Sequence, residues 1–175
     1  MKKYSLLFLG LLGVMFAVSA EPKFKKITLD DMFRSEGVGI GDFNKDGKND
    51  VVVGDYWYAA PDWTRREIRK PRKETRGGYT EAFAVYPDDS NQDGWLDVMT
   101  SSYDPGTQVQ FFRNKGNGTF EERTHQAGLK GIFGGLNLVQ ADYDNDGDLD
   151  VFICRGAWLG DLGREPNSLL RNDSG

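Results

Sequence analysis

Short apolar runs separated by polar, glycine-rich stretches recur along most of the chain. Val38 and Ile40 alternate with glycine before one polar stretch, and three valines at residues 51–53 follow it directly. Phe83 and Val85 precede a second stretch in the same way. Alternation over short lengths is typical of β-strands, and turn residues mark where each strand ends. The pattern therefore predicts a mainly β protein with many turns.

The polar stretches between these strands are copies of one motif. The segments GDFNKDGKNDVVV, DDSNQDGWLDVMT and ADYDNDGDLDVFI each contain D-x-[DN]-x-D-G-x-x-D before an apolar run. The motifs begin at Asp42, Asp89 and Asp142, about fifty residues apart. We call residues 42–50, 89–97 and 142–150 loops one, two and three, and number positions within each loop from its first aspartate.

A second repeated element completes the unit. FFRNKGNGTF begins at Phe111 and is echoed by LLRND from Leu169. The longer copy predicts a strand, a turn and another strand. Each unit is then a strand, an acidic loop, a second strand and an outer hairpin. A repeat of this length fits a propeller blade or a similar array of sheets.

The acidic loops present oxygen atoms at alternate positions, as a site for a hard cation requires. Side chains at positions one, three, five and nine, with a backbone carbonyl at position seven, can converge when the loop curls at its position-six glycine. Calcium takes 6 to 8 oxygen ligands in flexible geometry, whereas magnesium demands a strict octahedron. The motifs contain no histidine or cysteine, which argues against zinc and copper. Calcium is therefore the predicted cofactor.

The motif has two other interpretations, an EF-hand and a metal-free turn. An EF-hand begins similarly, but it ends in Glu at position twelve and is flanked by helices. Position twelve is Val53, Thr100 or Ile153 here, and β-type runs follow the loops. Metal-free Asn/Asp/Gly turns are the second alternative. Turns alone do not require an aspartate at position nine of every copy, so the sequence favours calcium loops.

Residues 1–20 have the features of a secretory signal peptide. Lysines near the start precede an apolar run over residues 6–18, and the segment ends in Val18-Ser19-Ala20. The apolar run is shorter than the roughly 20 residues that a membrane span needs. We predict cleavage after Ala20, no membrane span in the mature chain, and a secreted, periplasmic or cell-surface location.

Charge and cysteine content narrow the function classes further. The formal charge is −5, and removing the signal peptide makes it more negative, which argues against a nucleic-acid partner. Cys154 is the only cysteine, so no internal disulfide can form. An exported domain without disulfides needs another means of stabilisation, and bound metal is the obvious candidate.

The loops and strands resemble the FG-GAP/VCBS repeat superfamily, the calcium-loop repeats of β-propellers like those of integrin α-subunits. VGIGDFNKDGKNDVVVG is similar to the repeat core, and FFRNKGNGTFEERTHQAGL is similar to bacterial secreted members that often carry an ASPIC/UnbV domain. The resemblance implies an all-β fold, namely a partial β-propeller of about three blades that is a fragment of a seven-bladed propeller. The expected repeat region is 21–175, with repeats around 36–80, 81–130 and 131–175, the last truncated.

The resemblance also implies a set of calcium ligands, transferred by position within each motif. They are Asp42, Asn44, Asp46, the Lys48 carbonyl and Asp50 in loop one; Asp89, Asn91, Asp93, the Trp95 carbonyl and Asp97 in loop two; and Asp142, Asp144, Asp146, the Asp148 carbonyl and Asp150 in loop three. Loop three has a carboxylate at position three where the others have asparagine. It is therefore predicted to bind calcium most tightly.

The superfamily includes adhesion proteins, matrix proteins and polysaccharide lyases, so two functions are open. In the first, the protein is an exported, non-catalytic calcium-binding module that binds a protein or polysaccharide ligand outside the cytoplasm. In the second, it is part of a lyase-like enzyme on the propeller scaffold. Every clustered carboxylate is assigned to calcium, which favours binding, and no catalytic residue is predicted. Three blades leave two sheet faces uncovered, so missing blades from a longer chain or self-association are also expected.

Overall fold

The computed structural model describes residues 23–72, 80, 82–104, 106–156, 160–161 and 166–173. Apart from a 3₁₀ turn at residues 160–161, the regular structure in these ranges is β. The strands are β1 (Val38–Gly41), β2 (Asp50–Val53), β3 (Tyr56–Ala59), β4 (Thr64–Glu67), β5 (Ala84–Asp88), β6 (Asp97–Ser101), β7 (Gln110–Asn114), β8 (Phe120–Glu122), β9 (Asn137–Ala141), β10 (Asp150–Cys154) and β11 (Ser168–Leu170). The predicted signal peptide lies outside the described residues. Within those residues, no helix is long and apolar enough to span a membrane.

The strands form three antiparallel sheets, each a meander in chain order. Sheet 1 contains β1 to β4, sheet 2 contains β5 to β8, and sheet 3 contains β9 to β11. An acidic loop joins the first two strands of every sheet, so Gly41 pairs with Asp50 at the mouth of loop one. Asp97 and Asp150 begin β6 and β10 in the same way. The all-β fold with blade-like units is confirmed, whereas membership of a seven-bladed propeller stays a prediction.

The first strands of the sheets are neighbours. β1 lies next to β5, and β5 lies next to β9. The expected arrangement of consecutive propeller blades places their inner strands side by side in this way. Gly39 of β1 faces sheet 2, and an added Cβ there would lie 2.8 Å from Pro87 Cδ and 2.7 Å from Val52 Cγ1. The glycine therefore permits the close approach of the two sheets.

Aromatic side chains fill the space between sheets 1 and 2. All four residues of β3, which reads YWYA, are buried. The ring centroid of Phe43 lies 6.1 Å from that of Trp57 in β3 and 6.2 Å from that of Phe120 in β8. Such ring pairs contribute about 0.5–1.5 kcal/mol beyond the area that they bury. Phe43 stands at position two of loop one, so the loop is packed into the main core.

A second, smaller core joins sheets 2 and 3. Its buried members are Val109, Phe111, Leu129 and Ile153, with Met99, Ile132, Leu138 and Leu170 packed against them. Sheet 3 leaves the opposite face uncovered in the described structure. Phe152 pairs with Val139 and Leu169 across the sheet, and these side chains are 38%, 47% and 48% exposed. Sheet 3 therefore carries an exposed apolar row on this face.

Asp30 ties the segment before β1 to sheet 1. Its carboxylate accepts hydrogen bonds from Arg34 Nε at 2.9 Å, Tyr58 Oη at 2.8 Å and Arg65 Nη1 at 3.0 Å. Burial raises the pKa of Asp30, but these hydrogen bonds and that from the Met32 N–H outweigh burial and hold the pKa well below its usual range. The segment is thereby fixed to β3 and β4.

Candidate metal centre

The three acidic loops share one backbone fold. The position-six glycine donates its N–H to the position-one aspartate, from Gly47 to Asp42 at 2.8 Å, from Gly94 to Asp89 at 2.8 Å and from Gly147 to Asp142 at 3.1 Å. The position-seven N–H donates to the position-five carboxylate, from Lys48 to Asp46 at 2.9 Å, from Trp95 to Asp93 at 3.0 Å and from Asp148 to Asp146 at 2.9 Å. These bonds curl the loop around the side chains of positions one and five.

The curl depends on two left-handed residues in each loop. At position four, φ is 59° for Lys45, 55° for Gln92 and 62° for Asn145. At position six, the glycines have φ of 82°, 82° and 99°. Positive φ is uncommon for residues other than glycine, and residues in such conformations cluster at ligand-binding sites. The same conformation in all three loops shows that the sequence motif specifies it.

The position-nine aspartate anchors each loop to the end of the third strand of its sheet. The recurring donors are the Ala60 N–H to Asp50 Oδ1, the Asn114 N–H to Asp97 Oδ1 and the Asn172 N–H to Asp150 Oδ1, each at 2.8 Å. Loops one and three add the position-two N–H, from Phe43 to Asp50 at 3.0 Å and from Tyr143 to Asp150 at 3.1 Å. Sequence reasoning missed these donors, although the Arg-Asn pair that recurs at the end of β7 and directly after β11 was a signal for two of them.

Loop two holds buried carboxylate oxygens that lack a partner. Asp97 is 1% exposed, and its Oδ2 has no hydrogen-bond partner among the described residues. Asp89 Oδ1 is also buried without a partner there. Burial, and then the nearby charges of Asp93 and Asp89, raise the pKa of Asp97 to about 7. An unsatisfied buried acceptor costs about 1–3 kcal/mol, which a bound cation would remove.

Loop three brings three of its predicted ligands together. Asp142, Asp144 and Asp146 each place a carboxylate oxygen within 4.8 Å of the others. Calcium–oxygen distances are about 2.3–2.6 Å, so two ligands of one ion lie at most about 5 Å apart. Burial and the charges of Asp146 and Asp150 raise the pKa of Asp144. The spacing and the mutual repulsion both fit a site for a divalent cation.

Loops one and two differ from loop three in having a cationic side chain beside position five. Lys48 Nζ lies 3.5 Å from Asp46 Oδ2, and Arg113 Nη2 lies 2.9 Å from Asp93 Oδ2. Burial raises the pKa of Asp93, but the Arg113 hydrogen bond and the Trp95 N–H outweigh it, so the pKa is lowered. Within the described part of the chain, Asp146 of loop three has no such ion pair. Burial and the charges of Asp46 and Asp42 raise the pKa of Asp50 at the other end of loop one.

Neighbouring loops also contact each other through fixed positions. Lys45 Nζ of loop one lies 4.2 Å from the Trp95 ring centroid of loop two. The Gln92 side chain of loop two donates a hydrogen bond to the Asp148 carboxylate of loop three. Position four of one loop therefore contacts position seven of the next. Position seven was predicted only as a backbone ligand, and its side chain has this second role between loops.

Comparison with known families identifies part of this arrangement. Residues 89–153 match the family model described as an FG-GAP-like repeat. This segment is similar to an FG-GAP-like repeat. This confirms the resemblance inferred from the motifs, over a segment that runs from loop two to β10. The FG-GAP-like repeat thus includes both loops two and three and the strands between them. No curated protein matches the chain.

Proposed function

We propose that this protein is an exported calcium-binding repeat protein that acts as a non-catalytic binding or adhesion module. The FG-GAP-like repeat supports a module of the β-propeller type. The observation that carries the calcium proposal is the buried Asp97 Oδ2, which has no hydrogen-bond partner among the residues that the structure describes. Asp89 Oδ1 of the same loop also has no partner among them. Buried carboxylates are normally paired or bound to metal, so this loop fits a cation.

Calcium fits the loops better than magnesium because of the number and kind of donors. Each loop offers four oxygen-bearing side chains and a position-seven carbonyl. A shell of 6 to 8 flexible oxygen ligands is the preference of calcium, whereas magnesium retains several waters in a strict octahedron. The loops would hold calcium between the end of the first strand and the start of the second. Bound calcium supplies positive charge that relieves the repulsion among the loop carboxylates and links the two strand ends.

The calcium proposal is tested with the chain lacking residues 1–20, stripped of metal with a chelator. We expect calorimetric titration to show binding at about 0.1–1 mM, the range of extracellular calcium modules. Each site should stabilise the fold by about 2.7 kcal/mol at a hundredfold excess over its dissociation constant. Magnesium should bind more weakly. A parent chain without heat of binding and without a thermal shift in calcium would overturn the proposal.

The matched control for this test is a variant that keeps every sheet but loses one ligand per loop. In Asp46→Ala/Asp93→Ala/Asp146→Ala, position five is removed from all three loops. The calcium response should disappear in this variant while the far-ultraviolet circular dichroism in chelator stays that of a β protein. A triple variant that still binds calcium like the parent would place the ions outside the loops.

The binding role is supported by the position of the clustered acidic residues, which lie in a proposed calcium loop. Among the described residues, the carboxylates that lie close enough to share a metal ion are those of loop three. Immobilised extracellular polysaccharides and matrix proteins would serve as probes, with calcium and with chelator. We expect calcium-dependent retention without release of unsaturated sugars. Release of such products would overturn the non-catalytic role in favour of the lyase-like alternative.

Export is proposed from the features of residues 1–20. A fusion of residues 1–25 to a reporter that is active only outside the cytoplasm tests it. We expect activity of the reporter and an N-terminus that begins at Glu21 after processing. A fusion that stays unprocessed in the cytoplasm would contradict export.

A further inference from the structure

Asn114 connects loops one and two. Its backbone N–H donates to Asp97 Oδ1 at 2.8 Å, so it holds the position-nine carboxylate of loop two. Its side-chain amide donates to the Phe43 carbonyl, position two of loop one, at 3.0 Å. The Phe43 N–H in turn donates to Asp50 Oδ2 at 3.0 Å. Asp97, Asn114, Phe43 and Asp50 therefore form one hydrogen-bonded series between the position-nine aspartates of adjacent loops.

Asn172 makes an equivalent link between loops two and three, from the Asp150 carboxylate to the Ser90 carbonyl. Its backbone N–H donates to Asp150 Oδ1 at 2.8 Å, and its side-chain amide donates to the Ser90 carbonyl at 3.1 Å. Ser90 is position two of loop two. The asparagine of one repeat thus reaches position two of the preceding loop at both junctions, across 71 and 82 residues of sequence. A contact that recurs at equivalent positions in two junctions is a property of the repeat.

The amide group is what makes this connection possible. Asn114 donates through Nδ2 to the carbonyls of Phe43 and Leu96 and accepts the Gly116 N–H through Oδ1 at 3.0 Å. Asn114 is fully buried, so its amide is oriented by these bonds. In sheet 1 the equivalent residue is Ala60, which donates its N–H to Asp50 but has no side-chain donor. The link from one loop to the preceding loop therefore depends on the side-chain amides of Asn114 and Asn172.

We propose that Asn114 and Asn172 are positioning residues that couple neighbouring calcium loops, so that calcium in one loop favours calcium in the adjacent loop. The inference rests on the proposed function, because it concerns the same sites. Partners that orient metal ligands by hydrogen bonding set affinity, and their loss typically costs 10–100-fold. Calcium that fixes Asp97 also fixes Asn114. Asn114 fixes the carbonyl of Phe43, the residue of loop one whose N–H holds Asp50. By linkage, the effect is reciprocal between the two loops.

The test follows each loop separately in the mature chain. The N–H of Gly47, Gly94 and Gly147 is bonded to the position-one aspartate of its own loop, so its nuclear magnetic resonance signal reports occupation of that loop. Calcium titration of the parent is compared with Asp93→Ala, which blocks loop two. We expect the block to weaken loop one by about 5-fold or more, the lower range of allosteric coupling. In the Asn114→Ala background, the same block should change loop one by less than about 2-fold.

Asn172→Ala provides the second variant, because Asn172 is only half-buried and lies near the end of the described chain. It should uncouple loop three from loop two and leave the coupling of loops one and two intact. Asn137→Ala, at an exposed position where β9 begins, is the matched control and should behave as the parent. If the parent binds calcium but loop one has the same calcium affinity with and without Asp93→Ala, the coupling alone is overturned. No calcium response at any of the three glycines would overturn the proposed function and the coupling together.

Discussion

The Asn114 N–H donates a 2.8 Å hydrogen bond to Oδ1 of Asp97, and the other oxygen of that buried carboxylate has no partner among the described residues. The hydrogen bond to Oδ1 orients the Asp97 carboxylate, while Oδ2 is left as an unsatisfied acceptor among the described residues. A neutral amide at this position would keep the acceptor for Asn114 and remove the buried charge. The effect of that change must then depend on whether calcium is present.

We expect Asp97→Asn to have opposite effects with and without calcium. In chelator, it should raise the free energy of unfolding by about 1–3 kcal/mol, because a buried carboxylate near the charges of Asp93 and Asp89 is replaced by a neutral amide. In calcium, it should lose the stabilisation of loop two, about 2.7 kcal/mol at a hundredfold excess of calcium over the dissociation constant. Urea denaturation in the two conditions measures both. Destabilisation of equal size in chelator and in calcium would show that Asp97 holds no ion.

The loops should differ in calcium affinity because their charges differ. Loop three has Asp144 at position three. Within the described ranges, Asp146 makes no ion pair like those of Asp46 with Lys48 and Asp93 with Arg113. Asp146→Ala should therefore lose more calcium-dependent stabilisation than Asp46→Ala or Asp93→Ala. Calorimetric titration of the three single variants decides the order. Equal losses would mean that the number of carboxylates does not set affinity in these loops.

The acidic loops show how far the sequence predicts this structure. The motif is local, with its turn residues and aspartates within nine positions, so the loops and the start of β2, β6 and β10 could be placed from the sequence. The alternation of Val38 and Ile40 located β1 equally well. It did not show which face is packed, since both side chains are exposed and Gly39 faces sheet 2. Close approach of two sheets selects the small residue there.

The contacts between repeats could not be predicted in the same way. The Asn114 side chain bonds a carbonyl 71 residues earlier, and the bond depends on how two sheets pack. The Arg-Asn pair recurs in the sequence, but nothing in the sequence indicates which carbonyl accepts the hydrogen bond from the asparagine side chain. The hydrogen bond from Tyr58 to Asp30 has the same character, because its donor and acceptor are 28 residues apart. Non-local polar contacts of this kind follow from the tertiary fold.

Asp30 should make the fold sensitive to acid. Its pKa is lowered in the folded protein, so its stabilising contribution is fully present above the unfolded pKa of about 3.9 and is lost as the pH falls through the folded pKa. Asp30→Asn should lower the free energy of unfolding at pH 7 by about 1.5–3 kcal/mol, the value of hydrogen bonds to a charged group. It should also flatten the decline of stability below pH 4.

The control for this prediction is Asp31→Asn, which removes the same charge from an exposed neighbouring position. Urea denaturation between pH 2 and pH 7, at constant ionic strength, compares the two variants with the parent. If Asp31→Asn were as destabilising as Asp30→Asn, the loss would come from net charge and not from the contacts with Arg34, Tyr58 and Arg65.

The exposed row on sheet 3 predicts that the mature chain associates with itself as its concentration rises. Phe152 lies between Val139 and Leu169 in this row, and burying a phenylalanine contributes about 1.5–3 kcal/mol. Phe152→Ser should therefore weaken association by about 10-fold or more, since each 1.4 kcal/mol is a factor of ten. Phe133 is exposed to a similar extent, 40% against 38%, but lies outside the row, so Phe133→Ser is the matched control. Sedimentation velocity over a range of concentrations measures both. A parent that remains monomeric at all concentrations, or equal weakening by the two variants, would show that the row is not the contact surface.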